Sequence, residues 1–218
     1  MSDREIPCHW LGRRPYADVW SAMRTWADGS EPERWWFLEH EPVYTLGRSG
    51  KTAGLLAPGA IPVVRSDRGG DVTYHGPGQL IVYPLLQLGG TGFGIRDLVG
   101  WLEQAVITLL AGRDIPAERR RGAPGVYVEG RKIASLGLRV RRGRCYHGLS
   151  FNVNLDLAPF RDIHPCGYAG LETTRLVDFG QPDATPRQVA PDLADCLASL
   201  LGRQPVWQEP HPAISARA

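Results

Sequence analysis

The sequence predicts an α+β domain, a mixed β-sheet packed with helices. Three observations carry this expectation. Strand-like runs arrive in blocks rather than alternating strictly with helices, which disfavours a doubly wound parallel sheet. Two long segments, near residues 95–112 and 187–201, repeat apolar residues at helical spacing. No linker-like stretch interrupts the middle of the chain, so residues 1–218 read as one domain.

In chain order, "IPCHWLG" reads as a strand, and residues 15–27 as a helix opened by Pro15 and closed by Asp28-Gly29. "RWWFLEHEPVYTLGR" reads as two strands broken near Pro42, and "IPVVRSD" as a short strand. "QLIVYPLLQL" is rich in β-branched and aromatic residues and reads as a buried strand. Ile95, Leu98, Val99, Leu102, Val106, Leu109 and Leu110 form the apolar stripe of the second helix. The stretch from Ala123 to Leu155 alternates as strands do, with tight turns at Glu129-Gly130 and Arg142-Gly143. Leu136, Leu138 and Val140 then face one way, and Arg139 and Arg141 the other. The last helix turns Leu193, Cys196, Leu197, Leu200 and Leu201 inward and ends at Gly202. The core spans about 30–205, and the proline-rich residues 205–218 read as a flexible tail.

Composition excludes several classes. The net charge of +2 gives no strong attraction to nucleic acid. The longest apolar runs are too short to span a bilayer, and the N-terminus lacks a secretory pattern. Four cysteines do not make a disulfide scaffold at this size, so reduced thiols in the cytoplasm are expected. Arginine supplies nearly all the basic residues; only Lys51 and Lys132 are lysines. A lysine can lose its proton where an arginine cannot, which draws attention to both.

"RGGDVTYHGPGQL", Arg68 to Leu80, is the densest functional signal. A phosphate cradle fits it poorly, because such loops lead into a helix N-terminus and a strand-like run follows here. It reads either as a hairpin or as one wall of a ligand slot, with Arg68, Tyr74 and His75 supplying polar groups. Cys8, Cys145 and Cys196 fall in strands or on a helix, where thiols are normally inert. Cys166 falls in a turn between Pro165 and Gly167, where a substrate can reach it. The pairs Cys8/His9, Cys145/His147 and His164/Cys166 lack the spacing of a structural zinc site, and no metal is expected. Should Lys132 approach Cys166, the amine can take the thiol proton and make sulfur a nucleophile.

Three stretches, "RGGDVTYHGPGQLIVYPL", "GRKIASLGL" and "HGLSFNVNLDLAPFRDIHPCG", resemble in order the signature segments of the octanoyltransferases. The resemblance implies the fold of the biotin and lipoate protein ligases. It implies octanoyl transfer from octanoyl-acyl carrier protein to a lysine of apo lipoyl domains, those of 2-oxoacid dehydrogenases and of the glycine cleavage H protein. It implies no cofactor, Cys166 as acyl-thioester nucleophile, and Lys132 as the group that activates it. It maps substrate binding onto Arg68, Gly69, Gly70, Asp71, Val72, Thr73, Tyr74 and His75, onto Ser135, Leu136 and Gly137, and onto Gly148, Leu149 and Ser150. The arginines at 119–121, 139, 141, 142 and 144 are either a docking surface for an acidic carrier or a solvated face. The alternatives are an ATP-dependent lipoate or biotin ligase, which needs no thiol at Cys166, and a non-catalytic acyl-binding protein.

Overall fold

A computed structural model describes residues 4–51, 54–88, 94–163 and 171–209. The elements are β1 (Glu5–Arg14), α1 (Tyr16–Asp28), β2 (Arg34–His40), β3 (Val43–Leu46), β4 (Val63–Arg65), β5 (Val72–His75), β6 (Gln79–Gln87), α2 (Ile95–Ala111), β7 (Glu118–Arg119), β8 (Val126–Val128), β9 (Arg131–Arg141), β10 (Arg144–Asn152), α3 (Pro186–Leu200) and β11 (Gln204–Gln208). One mixed sheet runs β11-β1-β2-β6-β10-β9-β8-β7, and a smaller one runs β4-β3-β5. β1 pairs parallel with both β2 and β11, and the other pairs of the large sheet are antiparallel.

The central strand β6 is buried on both faces, which is why its sequence is a continuous apolar run. Leu80, Val82 and Leu86 join the main core with α2 and α3, and Ile81, Tyr83 and Leu85 pack on the other side with Val19, Met23 and Trp26 of α1. The small sheet builds a third cluster, with Tyr44, Leu46, Val72 and Tyr74 against Leu155, Phe160 and Ile163. The two turns expected in the β8–β9–β10 meander are present. Glu129 and Gly130, and Arg142 and Gly143, all have positive φ, as two-residue hairpin turns of this hand require.

The structure corrects three expectations. The glycine-rich stretch is not a hairpin: β5 pairs with β3, whereas β6 enters the large sheet, so the loop joins two sheets. The start of the proline-rich tail forms β11 on the sheet edge, where Pro205 costs no ladder bond; the Trp207 ring packs at a tilt against Phe37, with centroids 5.0 Å apart. Residues 210–218 lie outside the described residues. In α3, Leu193 and Leu197 are buried as expected, but Leu200 is 43% exposed and Cys196 only partly covered.

Candidate active site

A cleft forms where the small sheet meets the α1 face of the large sheet. Its walls come from the three segments singled out in the sequence: Arg68, Gly70, Asp71, Val72, Thr73 and His75; Ser135, Leu136 and Gly137 on β9; Gly148, Leu149 and Ser150 on β10. Tyr16, Ile81, Tyr83 and His147, which sequence reasoning did not select, complete the lining. The space, counting its open mouth, is about 500 Å³. A second groove of about 1270 Å³ of open space lies beside it and shares Gly70, Asp71, Leu136 and Gly137 as a common wall. Gly69 lines only this second groove, together with Ile95, Val99 and Pro124.

The glycines of the site permit close approach. A Cβ on Gly148 would stand 2.0 Å from the carbonyl oxygen of Val82, and one on Gly137 would stand 3.0 Å from that of Gly69. The Gly148 contact has a cause in the chain. Pairing of β10 with β6 is interrupted between Cys145↔Leu86 and Leu149↔Val82, opposite Pro84, which has no N–H to donate. In that gap His147 takes φ +60°, so strict alternation breaks. Tyr146 and His147 both reach Asp67, while Cys145 stays in the main core. Cys145 and His147 therefore do not share a face, and no metal-ligating cluster occurs among the described residues.

Arg68, on the cleft wall, is tied to the protein's own backbone. It is buried, and its guanidinium donates to Thr45 O at 2.6 Å, Asp71 O at 2.7 Å and Gly69 O at 2.9 Å. It holds the loop's carbonyls in place and so shapes the cleft wall. Tyr74 turns away from the cleft into the third cluster, with its ring 5.5 Å from that of Tyr44.

Under the cleft lies a buried set of imidazoles and phenols. His40 Nδ1 donates to Arg14 O at 3.0 Å, so its Nε2 accepts from Tyr83 at 2.8 Å. His147 Nε2 donates to the Asp67 carboxylate at 2.8 Å. Burial holds all three histidines, His40, His75 and His147, below the ordinary value, so they are neutral near pH 7. The His147–Asp67 contact is then a charge-assisted hydrogen bond rather than an ion pair. Burial alone would raise Asp67, but hydrogen bonds from His147, Tyr146 and Trp20 outweigh it and hold the carboxylate well below its usual range. The pH dependence of stability follows. His40 has a folded value of about 4, below the unfolded value of about 6.5. The unfolded chain therefore takes up the proton first, and stability present above about pH 6.5 is lost as pH falls toward 4, by about 3 kcal/mol from this residue alone. Urea unfolding at steps from pH 7 to pH 4.5 measures this, and a flat profile contradicts it.

Lys132 is 3% exposed at the start of β9. Its Nζ donates to Pro124 O at 3.0 Å and lies 5.3 Å from the Tyr127 ring centroid. Gly125, with φ +140°, leaves room for the lysine: a Cβ there would be 2.9 Å from Lys132 Cε. Glu103 of α2 holds this turn by accepting from Gly125 N at 2.9 Å. Pro124, whose carbonyl holds the amine, also lines the second groove. The Lys132 backbone is bonded on both sides to chain just after the cysteine segment: Lys132 N to Glu172 O and Thr174 N to Lys132 O, each 2.9 Å. Cys166 and His164 lie outside the described residues. On its near side that segment is preceded by Ile163, which bridges to Leu55.

The arginines do not form one free surface. Arg119 meets Glu103 at 3.2 Å, Arg120 meets Glu118 at 3.5 Å, and Arg141 meets Asp28 at 2.8 Å. Arg144 stacks over Trp26 at 3.8 Å.

Residues 17–198 match the family model described as the lipoyl protein ligase A/B catalytic domain. An octanoyltransferase of Alkalilimnicola ehrlichii is 54% identical over 90% of this chain and 93% of its own. Among solved structures, a lipoate-protein ligase A bound with ATP superposes with TM-score 0.78 at 14% identity, covering 96% of this chain and 91% of that one. A biotin protein ligase from Aquifex aeolicus superposes with TM-score 0.56 at 15% identity, covering 92% and 69%. With this fold, and with the signature segments meeting in one cleft, the chain belongs to the octanoyltransferase family.

Proposed function

We propose that the protein transfers an octanoyl group from octanoyl-acyl carrier protein to one lysine of an apo lipoyl domain, through an acyl-thioester on Cys166. The observation that carries this reading is the convergence of the three segments on one cleft, with both described flanks of the cysteine segment tied down, one at Leu55 and the other on Lys132. The acceptors are lipoyl domains, including those of 2-oxoacid dehydrogenases and of the glycine cleavage H protein. The compartment is the cytoplasm, where thiols stay reduced; no helix among the described residues is long and apolar enough to cross a membrane.

The chemistry has two halves. The Lys132 amine takes the Cys166 proton, and sulfur attacks the carrier's thioester carbonyl. The carrier's C–S bond breaks, and its sulfur leaves with the proton held by Lys132. The acceptor lysine amine then attacks the enzyme thioester, the new C–N bond replaces the C–S bond, and Cys166 recovers a proton. Exchange of one thioester for another costs little, and the amide product is stable, so no nucleotide is consumed. Val72, Ile81, Leu136 and Leu149 give the cleft an apolar lining. Burying an octanoyl tail there contributes roughly 5 kcal/mol at about 0.8 per methylene.

Incubation of octanoyl-carrier and apo lipoyl domain with the enzyme, without ATP, is expected to add one octanoyl group to the domain. Free octanoate with ATP and magnesium is expected to add none. Modification only in the second mixture indicates an adenylating ligase instead. Binding of the carrier without transfer indicates an acyl-binding protein.

A further inference from the structure

The glycine-loop histidine ends a buried hydrogen-bond chain whose direction can be read from its far end. Asn152 donates through Nδ2 to Thr174 O at 2.9 Å. A carbonyl has no hydrogen to give, so the amide nitrogen must face it and Oδ1 must face Gln79. Gln79 Nε2 then donates to Asn152 Oδ1 at 2.9 Å and to Tyr74 O at 3.3 Å. Gln79 Oε1 is left as acceptor opposite His75 Nδ1 at 2.7 Å, so that ring nitrogen carries the hydrogen. A neutral imidazole has one N–H, and Nε2 is therefore a bare lone pair. No donor among the described residues reaches Nε2, and His75 lines the cleft. All four residues of the chain are buried. Its far end is fixed to Lys132, because Thr174 N donates to Lys132 O.

We propose that Gln79 and Asn152 are positioning residues that lock His75 in the Nδ1–H tautomer, so that Nε2 stands in the cleft as an acceptor for an N–H of the incoming lysine amine. This rests on the acyl-transfer reading. At the reacting centre the thioester group itself has no hydrogen to donate, whereas the attacking amine does, so the acceptor matches the amine's half of the reaction. Gln79 and Asn152 therefore act on the second half of the reaction, by orienting the amine as it attacks.

Two readouts test this. Nitrogen-15 NMR of histidine-labelled protein, with His75 assigned by comparison with His75→Gln, is expected to find Nδ1 protonated and Nε2 bare at neutral pH. The opposite tautomer, or an imidazolium, overturns the proposal, and this result stands even if no acyl-enzyme forms. Single-turnover kinetics are expected to find aminolysis of the acyl-enzyme slowed about tenfold in Gln79→Met, as loss of one oriented hydrogen bond implies, with acylation by octanoyl-carrier unchanged. Asn152→Ala removes the same anchor from the other end and is expected to give the same split. Equal slowing of both halves, or of neither, overturns the positioning role. Absence of any acyl-enzyme in the wild type defeats the acyl-transfer reading instead.

Discussion

Cys166→Ala is expected to abolish octanoyl transfer, lowering the rate by about four orders of magnitude or more, the scale on which loss of a covalent nucleophile is felt. The other three cysteines cannot substitute for it. Cys8 and Cys145 are buried in the main core, where burial pushes each thiol up to about 12. Near neutral pH such a thiol is ionised to about one part in a hundred thousand, too little to serve as nucleophile. Cys196 on α3 is also raised, by burial and then by the neighbouring Asp192 and Asp195 carboxylates. Steady-state transfer to a lipoyl domain measures the effect, with Cys196→Ala as a variant expected to keep the wild-type rate. Substantial activity in Cys166→Ala moves the chemistry elsewhere.

Lys132→Met is expected to lower transfer by about a thousandfold, within the range that a positioned acid–base group supplies. Methionine keeps much of the length and apolar stem, so the seat beside Gly125 and Tyr127 stays filled. What goes is the amine that can take the thiol proton and return it to the leaving sulfur. The loss is expected to shrink as pH rises toward the thiol's own value, about 8.5, because hydroxide then ionises the cysteine directly. Rates for both forms between pH 6.5 and pH 9 measure this. A deficit that stays constant across that range points to a structural role for Lys132.

The main elements were legible because each carries a local signal. The apolar run of β6 reflects burial on both faces, and the glycines at 130 and 143 mark turns with positive φ. The cleft lining was legible through motif resemblance, since spacing alone left the glycine loop open between a hairpin and a ligand wall. Three features depended on distant partners. The β11 edge strand is stabilised by β1 and by Phe37, which nothing in "QPVWQ" announces. The guanidinium of Arg68 serves carbonyls of Thr45 and of its own loop, a fact set by how β3 folds beside it. The buried cluster of His40, Tyr83 and His147 is drawn from separate strands, so no window of sequence contains it. Pro84 was the one available clue: a proline inside a central strand marks a break in pairing, and His147 sits at that break.

Intact-mass spectrometry of the enzyme mixed with octanoyl-carrier alone, followed by mapping of the modified peptide, tests the central idea most directly. The account predicts a gain of one octanoyl group on the peptide containing Cys166, discharged when apo lipoyl domain is added. An unmodified enzyme that still transfers octanoate, or an adduct on any other residue, contradicts it.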